Sequence, residues 1–162
     1  MKTILEIFYL RVVGKDVRYQ RKLVNLSRKG GDPDRAIRSL IRQKERALSG
    51  EVIEKEFIVH STSWRYEPPD KVLLTYVAYS EELEFKKGTY NCLSLKRLPT
   101  IHKNSRKPSS KTELEKKVVS HAMRHIAFLI QSGDRDGFKN ALKADTVLVF
   151  KKLWISLAGK VF

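Results

Sequence analysis

The chain holds a single cysteine, Cys92, so no disulfide can close within it. Long apolar runs are equally scarce. No uncharged stretch approaches the ~18 residues that a membrane helix needs, and the clearest, residues 72–80, has only the length of a strand. At the N-terminus Glu6 interrupts what would have to be the apolar region of a signal peptide, and no small-residue cleavage site follows. The expectation is a cytoplasmic protein in a reducing compartment, with no membrane partner. Internal repeats and low-complexity segments are absent too. Acidic residues are in short supply: eighteen Asp and Glu stand against thirty-three Lys and Arg, a formal net charge of +15. Such an excess points to acidic partners, whether nucleic acid, nucleotides, anionic lipid or an acidic protein. The competing reading is a high-pI protein with no polyanion at all, since net charge bears on association and not on fold. At 162 residues the chain is expected to form one domain, 1–162, because a chain of this size buries roughly 70% of its unfolded surface.

Hydrophobic patterning gives an α/β reading. Residues 3–13 are β-branched and aromatic on both faces, as in a strand buried on both sides. Residues 17–26 fit strand or helix equally. After Gly30-Gly31, Asp32 fits a helix N-cap and Pro33 the first helical position. Ala36, Ile37, Leu40, Ile41, Ala47 and Leu48 form one apolar face, Arg35, Arg38, Arg42, Lys44 and Arg46 make the rest basic, and Gly50 suits the stop. Residues 52–60 and 71–79 read as strands joined by a turn at Pro68-Pro69-Asp70, with another strand at 90–98. Ser110 and Glu113 match a capping box opening a helix to about Gln131. A short helix over 135–143 and a last one capped by Asp145 complete the chain. The fold class expected is α/β: a mixed sheet with helices packed on it, on both faces.

Three groups of residues carry candidate chemistry. His60, Ser61, Thr62, Ser63, Trp64 and Arg65 bring imidazole, hydroxyls, indole and guanidinium together where a strand ends, suiting a phosphate or a base. The plain alternative is a strand continuing through a bulge, with Trp64 in the core and the hydroxyls at the surface. His121 and His125 are four apart on the long helix and share a face with Leu114, Val118, Phe128 and Leu129, whereas Ser120 points elsewhere. Both histidines are therefore expected to be largely buried, with polar partners on the strand carrying His60–Ser63. Their spacing is that of a zinc-binding pair. Ala122, however, occupies the place of the general-base glutamate in H-E-x-x-H, and a pair of hydrogen-bonded core histidines is the competing reading. Finally, residues 1–49 carry thirteen cations against five acids, and residues 86–117 ten against two, with Tyr9, Tyr19 and Tyr90 among them. Cations with interleaved aromatics are the material of single-stranded RNA binding, yet no RRM, KH or zinc-finger signature accompanies them. Gly30-Gly31 lacks the spacing of a phosphate-binding loop.

Three blocks together, HSTSWRYEPPDKVLLTYVAYS at 60–80, VVSHAMRHIAFLI at 118–130 and LWISLAGKVF at 153–162, resemble a group of uncharacterised bacterial proteins, chiefly cyanobacterial and actinobacterial. The resemblance covers most of the chain and implies no mechanism. The order of elements is also similar to the Nudix fold, an α/β/α sandwich that binds nucleoside diphosphate compounds. The Nudix box places acidic metal ligands on a helix after a glycine-rich turn. Here the helix DPDRAIRSLIRQKERALSG has Glu45 as its only glutamate and is otherwise basic. The resemblance therefore implies a Nudix-like shape without the usual magnesium site or hydrolysis by that route.

The first functional reading is a basic binding domain for a phosphorylated small molecule or nucleotide, contacted by His60, Ser61, Thr62, Trp64 and Arg65, with His121 and His125 beside them. The alternative is an RNA- or DNA-binding accessory protein using the basic surface. A second alternative is a metal-dependent hydrolase built on His121 and His125 with His60. The residues name no catalytic set, no complete metal site and no cofactor.

Overall fold

A computed structural model describes residues 2–26, 31–49, 57–98, 110–132 and 141–158. The apolar N-terminal run is strand β1, Lys2–Val13, and it turns through Gly14-Lys15 into β2, Asp16–Asn25. Gly14 takes φ +61 and Lys15 does not take a positive φ, as in the two-residue hairpins whose first position favours glycine. The ambiguous segment 17–26 is thus settled as strand by its pairing with β1. Helix α1, Pro33–Ser49, opens with the expected cap: Asp32 accepts a 3.0 Å hydrogen bond from the Asp34 amide. β3, Ile58–Glu67, and β4, Lys71–Tyr79, form a second hairpin around Pro68-Pro69-Asp70. β5 is Asn91–Ser94, shorter than expected because the chain turns into a 3₁₀ helix at Leu95–Arg97. Helix α2 is Lys111–Ser132 and helix α3 is Ala144–Ala158. The Glu113 amide donates to Ser110 Oγ at 3.1 Å, so half of the capping box is in place. Asp145 lies inside the first turn of α3 and not at its cap. The Lys143 amide before that turn donates instead to Glu81 Oε1 at 2.6 Å, which anchors α3 to the segment leaving β4. The expected strand over 52–56, the Gly50 stop and most of the expected helix 135–143 lie outside the described residues.

The five strands form one mixed sheet in the order β3-β4-β1-β2-β5, with β1 parallel to β4 and the other pairs antiparallel. β1 is central and its two faces feed two cores, which accounts for its unbroken apolar pattern. Phe8 and Leu10 join Val77, Tyr79 and Tyr19 under α2 and α3. Leu5, Ile7 and Tyr9 join Tyr76 and Ala78 under Ile37 and Ile41 of α1. The expected α/β arrangement, a mixed sheet with helices on both faces, is the arrangement found. Among the described residues no helix is long and apolar enough to cross a membrane.

The face that α2 buries differs from the one expected. Val119, Ser120, Ala122, Met123, Ile126 and Ala127 point inward, while Phe128 is 52% exposed and His121 and His125 are only partly buried. The helix is apolar around much of its circumference, so two overlapping stripes fit a 3.6-residue period. The stripe with the small residues Ser120, Ala122 and Ala127 meets the sheet and α3. This rotates the two histidines to the flank that overlooks β3.

Candidate functional site

β3 is an edge strand, and it carries every candidate from His60 to Arg65. It continues through that segment with a register irregularity between Ser61 and Ser63. Alternation then divides the candidates between the faces of the sheet. Ser61, Trp64 and Tyr66 pair with Tyr76, Leu74 and Val72, and Tyr76 and Leu74 pack into the core under α1. His60 pairs with Val77 and Arg65 with Leu73, on the face covered by α2. Thr62, at the irregularity, donates to the Thr75 carbonyl at 3.3 Å. The six residues therefore do not converge on one ligand. The plain reading foresaw the bulge and the surface hydroxyls, but it put Trp64 in the core, whereas Trp64 is 71% exposed.

On the α2 face Arg65 is committed to a partner that the sequence did not single out. Glu6 is 1% exposed. Its Oε2 accepts from Arg65 Nη1 at 2.7 Å and from Thr75 Oγ1 at 2.8 Å; its Oε1 accepts from Arg65 Nη2 at 3.0 Å and from Arg21 Nε at 2.8 Å. Arg21, Glu6, Thr75 and Arg65 come from β2, β1, β4 and β3, a polar row across four strands. Burial pushes the Glu6 carboxyl up, but hydrogen bonds from Arg65, Thr75 and Arg21 together outweigh it and hold the group below its ordinary value. Glu115 on α2 reaches Arg21 at 3.5 Å, and Glu67 reaches Arg65 at 3.3 Å. The Arg65 guanidinium is thus engaged by two carboxylates. The one signal in the sequence was an acid within an apolar strand.

Beside this row the structure brings the three histidines together. His60 Nε2 lies 3.4 Å from His125 Nδ1. The ring centroids of His60 and His125 are 5.5 Å apart, and those of His121 and His125 are 4.2 Å apart. Burial lowers the pKa of all three. For His60 the Asp34 charge works against that shift, for His121 a hydrogen bond with the Thr62 backbone does, and for His125 the other two histidines add to it. The neutral imidazole is the favoured form at neutral pH. Among the described residues no group of three or more His, Cys, Asp or Glu side chains is arranged to hold a metal ion.

The α1 face is different in kind. Trp64 and Tyr66, the latter 53% exposed, stand on the same side of β3 two residues apart. Asp34, in the first turn of α1, and Ser61 both approach the Tyr76 hydroxyl, so the start of α1 lies over the same face of the sheet from which Trp64 and Tyr66 project, opposite Leu74 and Val72. Along α1 a shallow depression of about 470 Å³ is lined by Asp32, Asp34, Arg35, Arg38, Ser39 and Arg42. The two carboxylates lie at the helix start, Asp32 as its cap. The three guanidiniums follow at i, i+3 and i+7, all exposed, and among the described residues none of them is in an ion pair. Arg18 and Lys22 of β2 project to this face as well, in step with Val24, which packs under α1. No protein-family model matches the chain, and no curated protein matches it.

Proposed function

We propose that this protein binds single-stranded nucleic acid across the face that α1 covers. Bases stack on Trp64 and Tyr66, and phosphates meet Arg35, Arg38 and Arg42. The observation that carries this reading is the exposed Trp64–Tyr66 pair on the face of the sheet that α1 covers, where Arg35, Arg38 and Arg42 are exposed and form no ion pair among the described residues. An indole standing in water on a face that also carries exposed cations is costly for solubility and suits a flat aromatic ligand with an anionic backbone. The net charge of +15 adds long-range attraction for such a polymer. A phosphorylated small molecule is the weaker fit. Its contacts at Arg65 are taken up by Glu6, and the depression on α1 is lined from one helix only, whereas small-ligand sites enclose most of their ligand.

The test is a titration of the full chain with fluorescently labelled oligo(U) and oligo(dT), and with the corresponding mononucleotides, at low and at moderate salt. The expected result is oligonucleotide binding that quenches tryptophan fluorescence and weakens steeply as salt rises. Equal affinity for a mononucleotide would favour the small-ligand reading. No binding of either polymer at low salt would refute the proposal.

A further inference from the structure

We infer that His60 and His125 form a two-imidazole site for a divalent transition ion of the zinc or copper type, on the face of β3 opposite the proposed nucleic-acid surface. The facing nitrogens, His60 Nε2 and His125 Nδ1, are 3.4 Å apart. As a hydrogen bond between ring nitrogens this separation is a long one. It matches the edge of a tetrahedron: two nitrogens about 2.0–2.1 Å from a zinc ion are separated by about 3.3–3.4 Å. The two rings come from different elements, an edge strand and a helix packed over it, so the spacing is set by the fold and not by the i,i+4 repeat of one helix. Binding needs the Nδ1–H tautomer of His60 and the Nε2–H tautomer of His125, which leaves the two facing lone pairs free. Neutral rings, which burial favours here, are the ones that can take part.

His121 does not complete a triad. Its ring packs against that of His125 at a tilt, 4.2 Å between centroids, and hydrogen-bonds with the Thr62 backbone, so it borders the pair without facing the space between His60 Nε2 and His125 Nδ1. The charges around the pair are mixed: Asp34 acts on His60 and favours a cation, while Arg124 acts on His121 and opposes one. With two protein ligands and both rings only partly buried, water or an external donor fills the remaining positions. Imidazole donors select the zinc and copper end of the divalent series over magnesium or calcium.

The experiment is a titration of the full chain with Zn²⁺ alone, read by long-range ¹H–¹⁵N spectra of the four histidine rings. His60 Nε2 and His125 Nδ1 should shift together and saturate at one equivalent. His60→Gln should remove the shift at His125, and His125→Gln that at His60, each weakening the apparent affinity at least tenfold, while Mg²⁺ leaves both rings unmoved. The wild-type spectra decide the matter even where a variant fails to fold. Shifts confined to His102 or His121, movement of one member of the pair without the other, or no change at tenfold excess of Zn²⁺ would each overturn the inference.

Discussion

Arg65 reaches over β4 to clasp Glu6 with two parallel hydrogen bonds, Nη1 to Oε2 at 2.7 Å and Nη2 to Oε1 at 3.0 Å. This fork-to-fork pair joins the edge strand β3 to the central strand β1, which are not neighbours in the sheet. Glu6→Gln is expected to destabilise the fold by about 3–5 kcal/mol, because Arg21 and Arg65 would then be left beside a neutral group with little water to replace the carboxylate. Arg65→Lys should recover little of an Arg65→Ala loss, since an ammonium cannot make both bonds. Urea denaturation checks both, and a Glu6→Gln loss below 1 kcal/mol would mean that the row contributes little.

The same row fixes a pH dependence. The Glu6 carboxyl is held below its ordinary value of 4.5 in the folded chain, so the unfolded chain binds a proton first as pH falls. The stability contributed by this group is complete above the unfolded value and is lost as pH drops through the lower folded value. Melting temperatures measured from pH 7 down to pH 3 should therefore fall more steeply for the native chain than for Glu6→Gln. Parallel curves would show that Glu6 is not the group responsible.

Trp64 serves the proposed nucleic-acid reading and little else. Being 71% exposed, it can be replaced by Ala with a change in folding stability of about 0.5 kcal/mol or less. The same change should weaken oligo(U) binding by about 1–3 kcal/mol, the usual value of one stacked base. Anisotropy titrations beside thermal melts separate the two effects. A variant that melts early and binds normally would assign Trp64 to structure.

The arginines of α1 should show themselves in salt dependence. Removing a phosphate contact from a single strand lowers the slope of log K against log salt by about 0.7. Arg38→Ala and Arg42→Ala are expected to do so additively and without regard to base sequence, whereas Trp64→Ala should leave the slope unchanged. If neither arginine variant changes the slope, the phosphates lie elsewhere on the basic surface.

Local signals made much of the fold legible. The Asp32-Pro33 start of α1, the Ser110 cap of α2 and the apolar run of β1 each depend on residues next to one another in the chain. β3 was harder to read because it is an edge strand, open to water on one side. The polar run His60–Arg65 resembles a loop until its pairing with β4 is known. Strand alternation splits those residues between two faces, and the irregularity at Ser61–Ser63, which composition does not announce, decides which face Trp64 and Arg65 take. In the sequence Glu6 is only a charge interrupting an apolar run, and its partners depend on strand order. The approach of His60 to His125 likewise requires knowing which face of α2 is buried.

That face can be tested directly. A sequence pattern with two competing stripes makes Phe128 a core residue in one reading, while in the structure it is half exposed, with the Trp154 ring 5.6 Å away between centroids. Met123 is fully buried between the sheet and α3. Met123→Ala should then cost about 2–5 kcal/mol, since it empties a filled site. Phe128→Ala should cost only the aromatic contact, about 0.5–1.5 kcal/mol. The order of the two matters more than either value, because a rotation of α2 by one residue position exchanges their environments. Denaturation midpoints that fell further for Phe128→Ala than for Met123→Ala would turn the helix back toward the face first expected. They would also move His125 away from the flank that meets His60.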